Sequence, residues 1–153
     1  MPMMDLTYPA GTLTPEARTE LVDELTTVLL RAERAPDTET FRNITWVYVH
    51  ELPAGTLFAA GRPVEEPTFR LFVTVPQGAL SDRRKGELVE NATRTIREHA
   101  GISDSEALRV WVLINEVPEG NWGAAGSIIH FEQLRRLAAR EREQPPEAAV
   151  GAS

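Results

Sequence analysis

Apolar and polar positions along the chain change period in a fixed order, and the order occurs twice. Met3–Tyr8 reads as a short strand. Ala17, Leu21, Leu25, Val28, Leu29 and Ala32 then recur at spacings of three and four, which gives a helix one apolar face. Thr14 is placed to cap that helix with Pro15 as its first residue, and Pro36 stops it. Ile44–His50 is β-branched and aromatic and predicts a second strand, followed by a turn at Pro53-Ala54-Gly55 and a short extension over 56–63. The second half begins with an alternating strand, Thr68–Val75. Ser81 caps a helix over about 82–99, with Leu88, Val89, Ala92 and Ile96 apolar and Gly101 placed to end it. Ser103–Leu108 is a connecting turn. Val110–Ile114 is unbroken apolar, the pattern of a strand covered on both faces. Residues 131–142 predict a charged terminal helix, and the composition of 143–153 predicts a disordered tail.

The two halves match residue by residue. ITWVYVHELPAGTLFAAG (44–61) aligns with RVWVLINEVPEGNWGAAG (109–126) at an offset of 65, pairing Trp46 with Trp111, Glu51 with Glu116, Pro53 with Pro118 and Gly55 with Gly120. LTPEARTELVDEL (13–25) aligns with LSDRRKGELVENA (80–92) at 67, so two residues are lost between helix and second strand. At an offset of 65, Pro2 falls opposite Pro67. A strand–helix–strand unit implies a parallel pair with a right-handed crossover. The expected fold class is therefore α/β (α+β): duplicated β-α-β units forming a four-stranded sheet with two helices on one face. They make a single domain over 1–130, with repeats at 2–63 and 67–128. The other sheet face has no cover within the chain, and further copies of the chain are the expected cover.

Composition narrows the function classes. The 153 residues carry 16 − 23 = −7 formal charges, which argues against a nucleic-acid partner. The absence of cysteine excludes disulfides, thiolate nucleophiles and zinc–thiolate sites. No apolar run reaches the ~20 residues that cross a bilayer. MPMMDLTYPAG has neither a basic region nor a long apolar core, so it does not read as a signal peptide, and a cytoplasmic location is expected. His50, His99 and His130 lack the spacing of metal ligands.

The remaining candidate is Pro2. If Met1 is removed, the chain begins with a secondary amine. An α-amino group titrates near ~8, burial lowers that value, and a base poised near neutrality is the efficient one. With Pro2, the duplicated βαβ unit and a strand ending Glu-x-Pro before the Gly-rich turn ELPAGTLFAAG, residues 2–130 resemble the tautomerase superfamily. The similarity is to its fused-repeat members, around 4-oxalocrotonate tautomerase and cis-3-chloroacrylic acid dehalogenase. The resemblance implies a homotrimer, no cofactor, a small-molecule substrate and Pro2 as the catalytic group. In enol–keto tautomerases the proline is a general base; in the dehalogenase and decarboxylase branches it is a protonated acid.

The arginines of that family are not at the matching positions, which carry Leu13 and Leu80, Trp46 and Trp111, and Gln77. The dehalogenase glutamate and histidine align with Ala124 and Leu29. Trp122 matches the family's pocket aromatic, with Leu57 opposite it in the first half. Trp111 is assigned to the core. Arg70, His50 and Asn121 complete the set of substrate-binding candidates, each with a plain structural alternative: an interface ion pair, a solvated strand end and a turn residue. Three readings follow: a tautomerase using Pro2 as base, a dehalogenase- or hydratase-branch enzyme using it as acid, and a non-catalytic oligomeric binding protein.

Overall fold

A computed structural model describes residues 1–144; the expected disordered tail lies, from residue 145, outside the described residues. The chain runs β1 (Met3–Pro9), α1 (Pro15–Glu33), α2 (Glu39–Asn43), β2 (Trp46–Leu52), the hairpin β3 (Phe58–Ala59) and β4 (Arg62–Pro63), then β5 (Phe69–Pro76) and α3 (Asp82–Ala100). A 3-10 turn (Asp104–Arg109) leads to β6 (Val110–Val117), the hairpin β7 (Gly123–Ala124) and β8 (Ser127–Ile128), and α4 (Phe131–Glu143). The main sheet has the order β2-β1-β5-β6. Its outer pairs are parallel, as the crossover argument requires, and the two repeats meet at the antiparallel pair β1–β5.

The helices begin and end where the side chains dictate. Thr14 Oγ1 accepts from the Ala17 N–H at 3.1 Å, and Ser81 Oγ from the Arg84 N–H at 3.4 Å, each using an N–H with no partner inside its helix. Arg34 (φ 56°) and Gly101 (φ 67°) turn left-handed at the two C-termini. Leu21, Leu25 and Leu29 of α1 and Leu88, Ala92 and Ile96 of α3 are buried against the inner sheet face, where Met4, Leu6, Tyr8, Leu71, Val73 and Val75 are fully covered.

Four expectations change. Val89 turns outward, because the buried stripe of α3 runs through Leu88, Ala92, Thr95 and Ile96 instead. The second strand starts at Trp46, not Ile44, because α2 runs up to Asn43 and the Thr45 hydroxyl donates to the Phe41 carbonyl at 2.8 Å. Trp111 is not core: it lies on the outer sheet face and is 62% exposed, so β6 is covered on one face only within the chain. Finally, Pro67 is not the counterpart of Pro2. Met3 pairs with Trp46 and Arg70 with Trp111, so the first strands are related by 70 − 3 = 67, the helix offset, and only the second strands by 65. The residue equivalent to Pro2 is 2 + 67, Phe69, while Pro67 lies before β5.

Candidate functional site

Pro2 is buried at the start of β1, and its carbonyl accepts from the Trp46 N–H at 3.3 Å. Two cavities meet at this position. The first, about 590 Å³, is polar and reaches from Met1 and Pro2 to Glu33, Arg84 and the inner side of α4. The second, about 570 Å³, is mostly apolar and lies between Pro2, Ile44, Trp46, Asn121 and Trp122.

Each wall follows from local sequence. Trp46 Nε1 donates to the Asn43 carbonyl at 3.1 Å, so the indole has its polar edge satisfied and offers an apolar face. Asn121 is fixed by its N–H bond to the Pro118 carbonyl, and Trp122 by the Ile129 N–H bond to its own carbonyl at 2.8 Å. The Ala-Ala-Gly turn that follows holds Ala125 at φ 51°, a left-handed conformation unfavourable for a residue with a Cβ. On the polar side, Arg84 sits in the first turn of α3. Its Nη1 donates to the carbonyls of Ala79 (2.9 Å) and Ala32 (3.3 Å), which fixes the cation at the cavity edge. Helix α4 is tied over this cavity. Leu137 and Ala138 pack with Leu30 and Phe41, Arg142 donates to the Arg34 carbonyl, and Thr38 donates to Glu141. Its start is held by Glu119, which lies 2.6 Å from His130 Nδ1 and is held below the usual carboxylate range by that contact and by the Phe131 N–H.

The titrating groups of the polar cavity are displaced toward one another. Burial lowers the α-amino group of Met1, and the nearby Glu33 carboxylate opposes that shift. Burial pushes the Glu33 carboxyl up to about 7, against the pull of the amino terminus and Arg84. The shifts bring a neutral amine beside a carboxylic acid and an ammonium beside a carboxylate closer in energy. An anion could be held by Arg84 and the arginines of α4.

Residues 71–132 match the family model described as Tautomerase enzyme. Solved structures extend the likeness over both repeats. Pt0534, inactivated by 2-oxo-3-pentynoate, is 25% identical and superposes over 82% of this chain and 94% of its own with a TM-score of 0.70. The second repeat matches that family's model, and the chain as a whole shares the fold of tautomerase-superfamily proteins. N1, a member of the cis-3-chloroacrylic acid dehalogenase family, is 24% identical over 92% of this chain and 96% of its own (TM-score 0.73). The F6 fused 4-OT asymmetric trimer is 20% identical over 88% and 98% (TM-score 0.72). Compared by sequence with curated proteins, the chain matches none.

Trp122 and Asn121 share the apolar cavity with Pro2. Arg70 and His50 do not reach it within one protomer. They lie on the outer sheet face, where His50 Nε2 is 2.7 Å from Asp5 Oδ1 and Arg70 Nη2 donates to Thr7 Oγ1 at 3.4 Å, around a separate hollow of about 460 Å³. Glu33 and Arg84 were missed by sequence reasoning. A signal for Arg84 exists: Arg83-Arg84-Lys85 places three cations in the first turn of a helix, where the macrodipole disfavours them. Glu33 gives none, because a glutamate closing an amphipathic helix reads as solvated. Among the described residues no group of three His, Asp or Glu could hold a metal ion, and no helix is long and apolar enough to cross a membrane.

Proposed function

We propose that this chain is a cofactor-independent tautomerase that moves a proton between oxygen and carbon of an enol or α-keto acid, with Pro2 as the terminal base once Met1 is removed. The observation that carries the reading is the place of Pro2, buried where an apolar, indole-lined cavity meets one edged by Arg84. A substrate with an aryl or alkyl tail and a carboxylate matches that division. The tail would lie against Trp46 and Trp122, with Asn121 within reach of the carbonyl oxygen, and the carboxylate toward Arg84 and α4. Removal of the enol proton by the neutral amine and its return to carbon completes the reaction, so no cofactor is required. We place the protein in the cytosol as a homotrimer. The exposed Trp46, Tyr48, Trp111 and Leu113 on one sheet face support self-association, and the F6 fused 4-OT forms a trimer. Pro2→Ala with phenylenolpyruvate tests the reading: loss of ketonisation is expected, and an unchanged rate, or a retained Met1 in the intact mass, would overturn it.

A second reading has one specific support. The carboxyl of Glu33 shares the polar cavity with the amino terminus and is a group that can activate water. A protonated Pro2 with Glu33 as water-activating base would make a hydratase or dehalogenase, and turnover of 3-chloroacrylates by the wild type would select that chemistry.

A further inference from the structure

The two repeats give the molecule two equivalent ends, and a comparison of them separates scaffold from site. Arg18 lies 3.4 Å from Glu51, and Lys85 lies 2.9 Å from Glu116. These pairs correspond, since 18 + 67 = 85 and 51 + 65 = 116, so a helix-to-strand ion pair is present in both copies and belongs to the scaffold. At the Pro2 end the copies diverge at three places that line one cavity. Pro2 stands opposite Phe69, Glu33 opposite Ala100 (33 + 67), and Arg84 opposite Ala17 (84 − 67). Ala17 and Ala100 pack against the core, so the second end fills with methyl groups and a phenyl ring the space that the first end gives to an amine, a carboxyl and a guanidinium. Polar groups brought together at one end only, in a fold that tolerates alanine at the equivalent places, are not required by the architecture.

We propose that Glu33 is a positioning residue for the amino-terminal nitrogen, with which it shares one proton across the polar cavity. The proposal rests on the reading of Pro2 as the acid–base group. It assigns to Glu33 the choice of whether the amine meets substrate neutral or protonated. With the proton on nitrogen, an N–H bond is held against a carboxylate. When it passes to Glu33, an O–H bond forms, the N–H bond breaks, and the amine lone pair is free to take a proton from substrate. No other reactant is needed. With Met1 in place, its α-amino group is displaced downward and the Glu33 carboxyl upward, which is what burial does to such a pair. Pro2 lines the same cavity as Glu33, so its amine meets the same carboxyl once Met1 is removed. Arg84, fixed by two carbonyls, faces Glu33 from α3 and favours its anion. Arg34 follows Glu33 at the end of α1. From α4, Arg135 and Arg136 lie 3.5 and 3.4 Å from Glu132, and Arg142 binds the Arg34 carbonyl, so each has a partner other than Glu33. From β5 the cavity receives Pro76, which does not titrate.

The test is a titration of the terminal amine, read as the pH dependence of its acylation by a limiting reagent and located by mass spectrometry. Wild type, Glu33→Gln, Glu33→Asp and the scaffold control Glu51→Gln are compared, each checked for native circular dichroism. Loss of the facing carboxylate should move the midpoint of Glu33→Gln to lower pH. Labelling at a pH below both midpoints should quicken, about tenfold for each pH unit of that movement. Glu33→Asp should restore part of the shift, Glu51→Gln should cause none, and the limb of the pH–kcat profile that reports the amine should move with the labelling curve. Superimposable labelling curves for folded wild type and Glu33→Gln would overturn the pairing. The two readings fail separately. A shifted amine in a protein with no Pro2-dependent turnover upholds the pairing and removes the tautomerase, whereas Pro2-dependent turnover with an unmoved amine removes the pairing alone.

Discussion

Pro2 and Phe69 occupy the same place in the two repeats, one residue before the aligned segments Met3–Pro9 and Arg70–Pro76. Phe69 is 1% exposed, and its ring centroid lies 5.0 Å from that of Tyr8. Duplication thus produced two equivalent strand starts, one now core and the other at a cavity. Phe69→Ala should cost about 3–5 kcal/mol of stability, the usual range for an emptied aromatic site. Pro2→Ala should abolish ketonisation while moving the denaturation midpoint little. Denaturant melts and enol assays of both variants check this, and a stability loss on Pro2→Ala as large as that on Phe69→Ala would deny the division of roles.

The Glu33 carboxyl predicts a pH-dependent stability with a definite sign. It titrates near 4.5 when unfolded and at about 7 when folded. Between these values the folded state binds the additional proton, so stability falls as pH rises from 4.5 to 7 and the loss is constant above. Glu33→Gln removes this dependence. Its stability relative to wild type should therefore increase from pH 4 to pH 7 and then level off. Melts over that range measure it, and a difference independent of pH would show that the carboxyl is not strained by burial.

Tyr8 gives the alkaline counterpart. Burial first, and then the charge and hydrogen bond of Glu51 (3.2 Å from the hydroxyl), push its phenol from 10 up to about 12. The unfolded chain ionises first, so the stability that Tyr8 contributes is complete below pH 10 and is lost as pH rises toward 12. Tyr8→Phe should flatten the decline in stability between pH 10 and 12 relative to wild type. An equally steep decline in the variant would assign the effect elsewhere.

Arg84→Met should separate anion binding from chemistry. If the guanidinium holds a substrate carboxylate, KM rises for a carboxylate-bearing enol, by about tenfold or more, with a smaller effect on an uncharged analogue. Part of the cost is structural, because the carbonyls of Ala79 and Ala32 lose a donor. The comparison between charged and uncharged substrates isolates the binding role, and equal effects on both would remove it.

Legibility in the sequence follows the range of the interactions. Thr14-Pro15 and Ser81 specify helix starts through atoms three residues away, and the three-and-four spacing specifies the buried face of α1; both are visible in a linear reading. Pro67 shows the limit. The matches at 65 are densest in the second strands, and carrying that offset back across the helix ignores two residues lost from the connection, where α2 stands in one repeat and the 3-10 turn in the other. Strand register, a long-range property, gave 67. For the same reason Glu33 and Arg84, 51 residues apart in sequence, could not be joined before the packing of α1 and α3 was known. The short α2 has too few turns for a period to appear.

The outer sheet face carries the last prediction. Trp46 and Trp111 are 60% and 62% exposed on opposite edge strands, with Tyr48, Phe72 and Leu113 on the same face. Their indole N–H groups are satisfied by the carbonyls of Asn43 and Leu108, so what faces outward is apolar. Between them lie Asp5, Thr7, His50 and Arg70, which pair with one another across strands β1, β2 and β5. An apolar border around a paired polar centre suits burial against another copy, because little unpaired charge would be desolvated. Light scattering should give the mass of a trimer. Leu113→Arg, which puts an unpaired cation at the centre of β6 on this face, should shift the protein to monomer while leaving its helical circular dichroism intact. Trp46 is shared between this face and the wall of the apolar cavity, so the dissociated variant should also lose ketonisation. A monomeric wild type would refute assembly through this face, and a monomeric but fully active Leu113→Arg would show that each protomer holds a complete site.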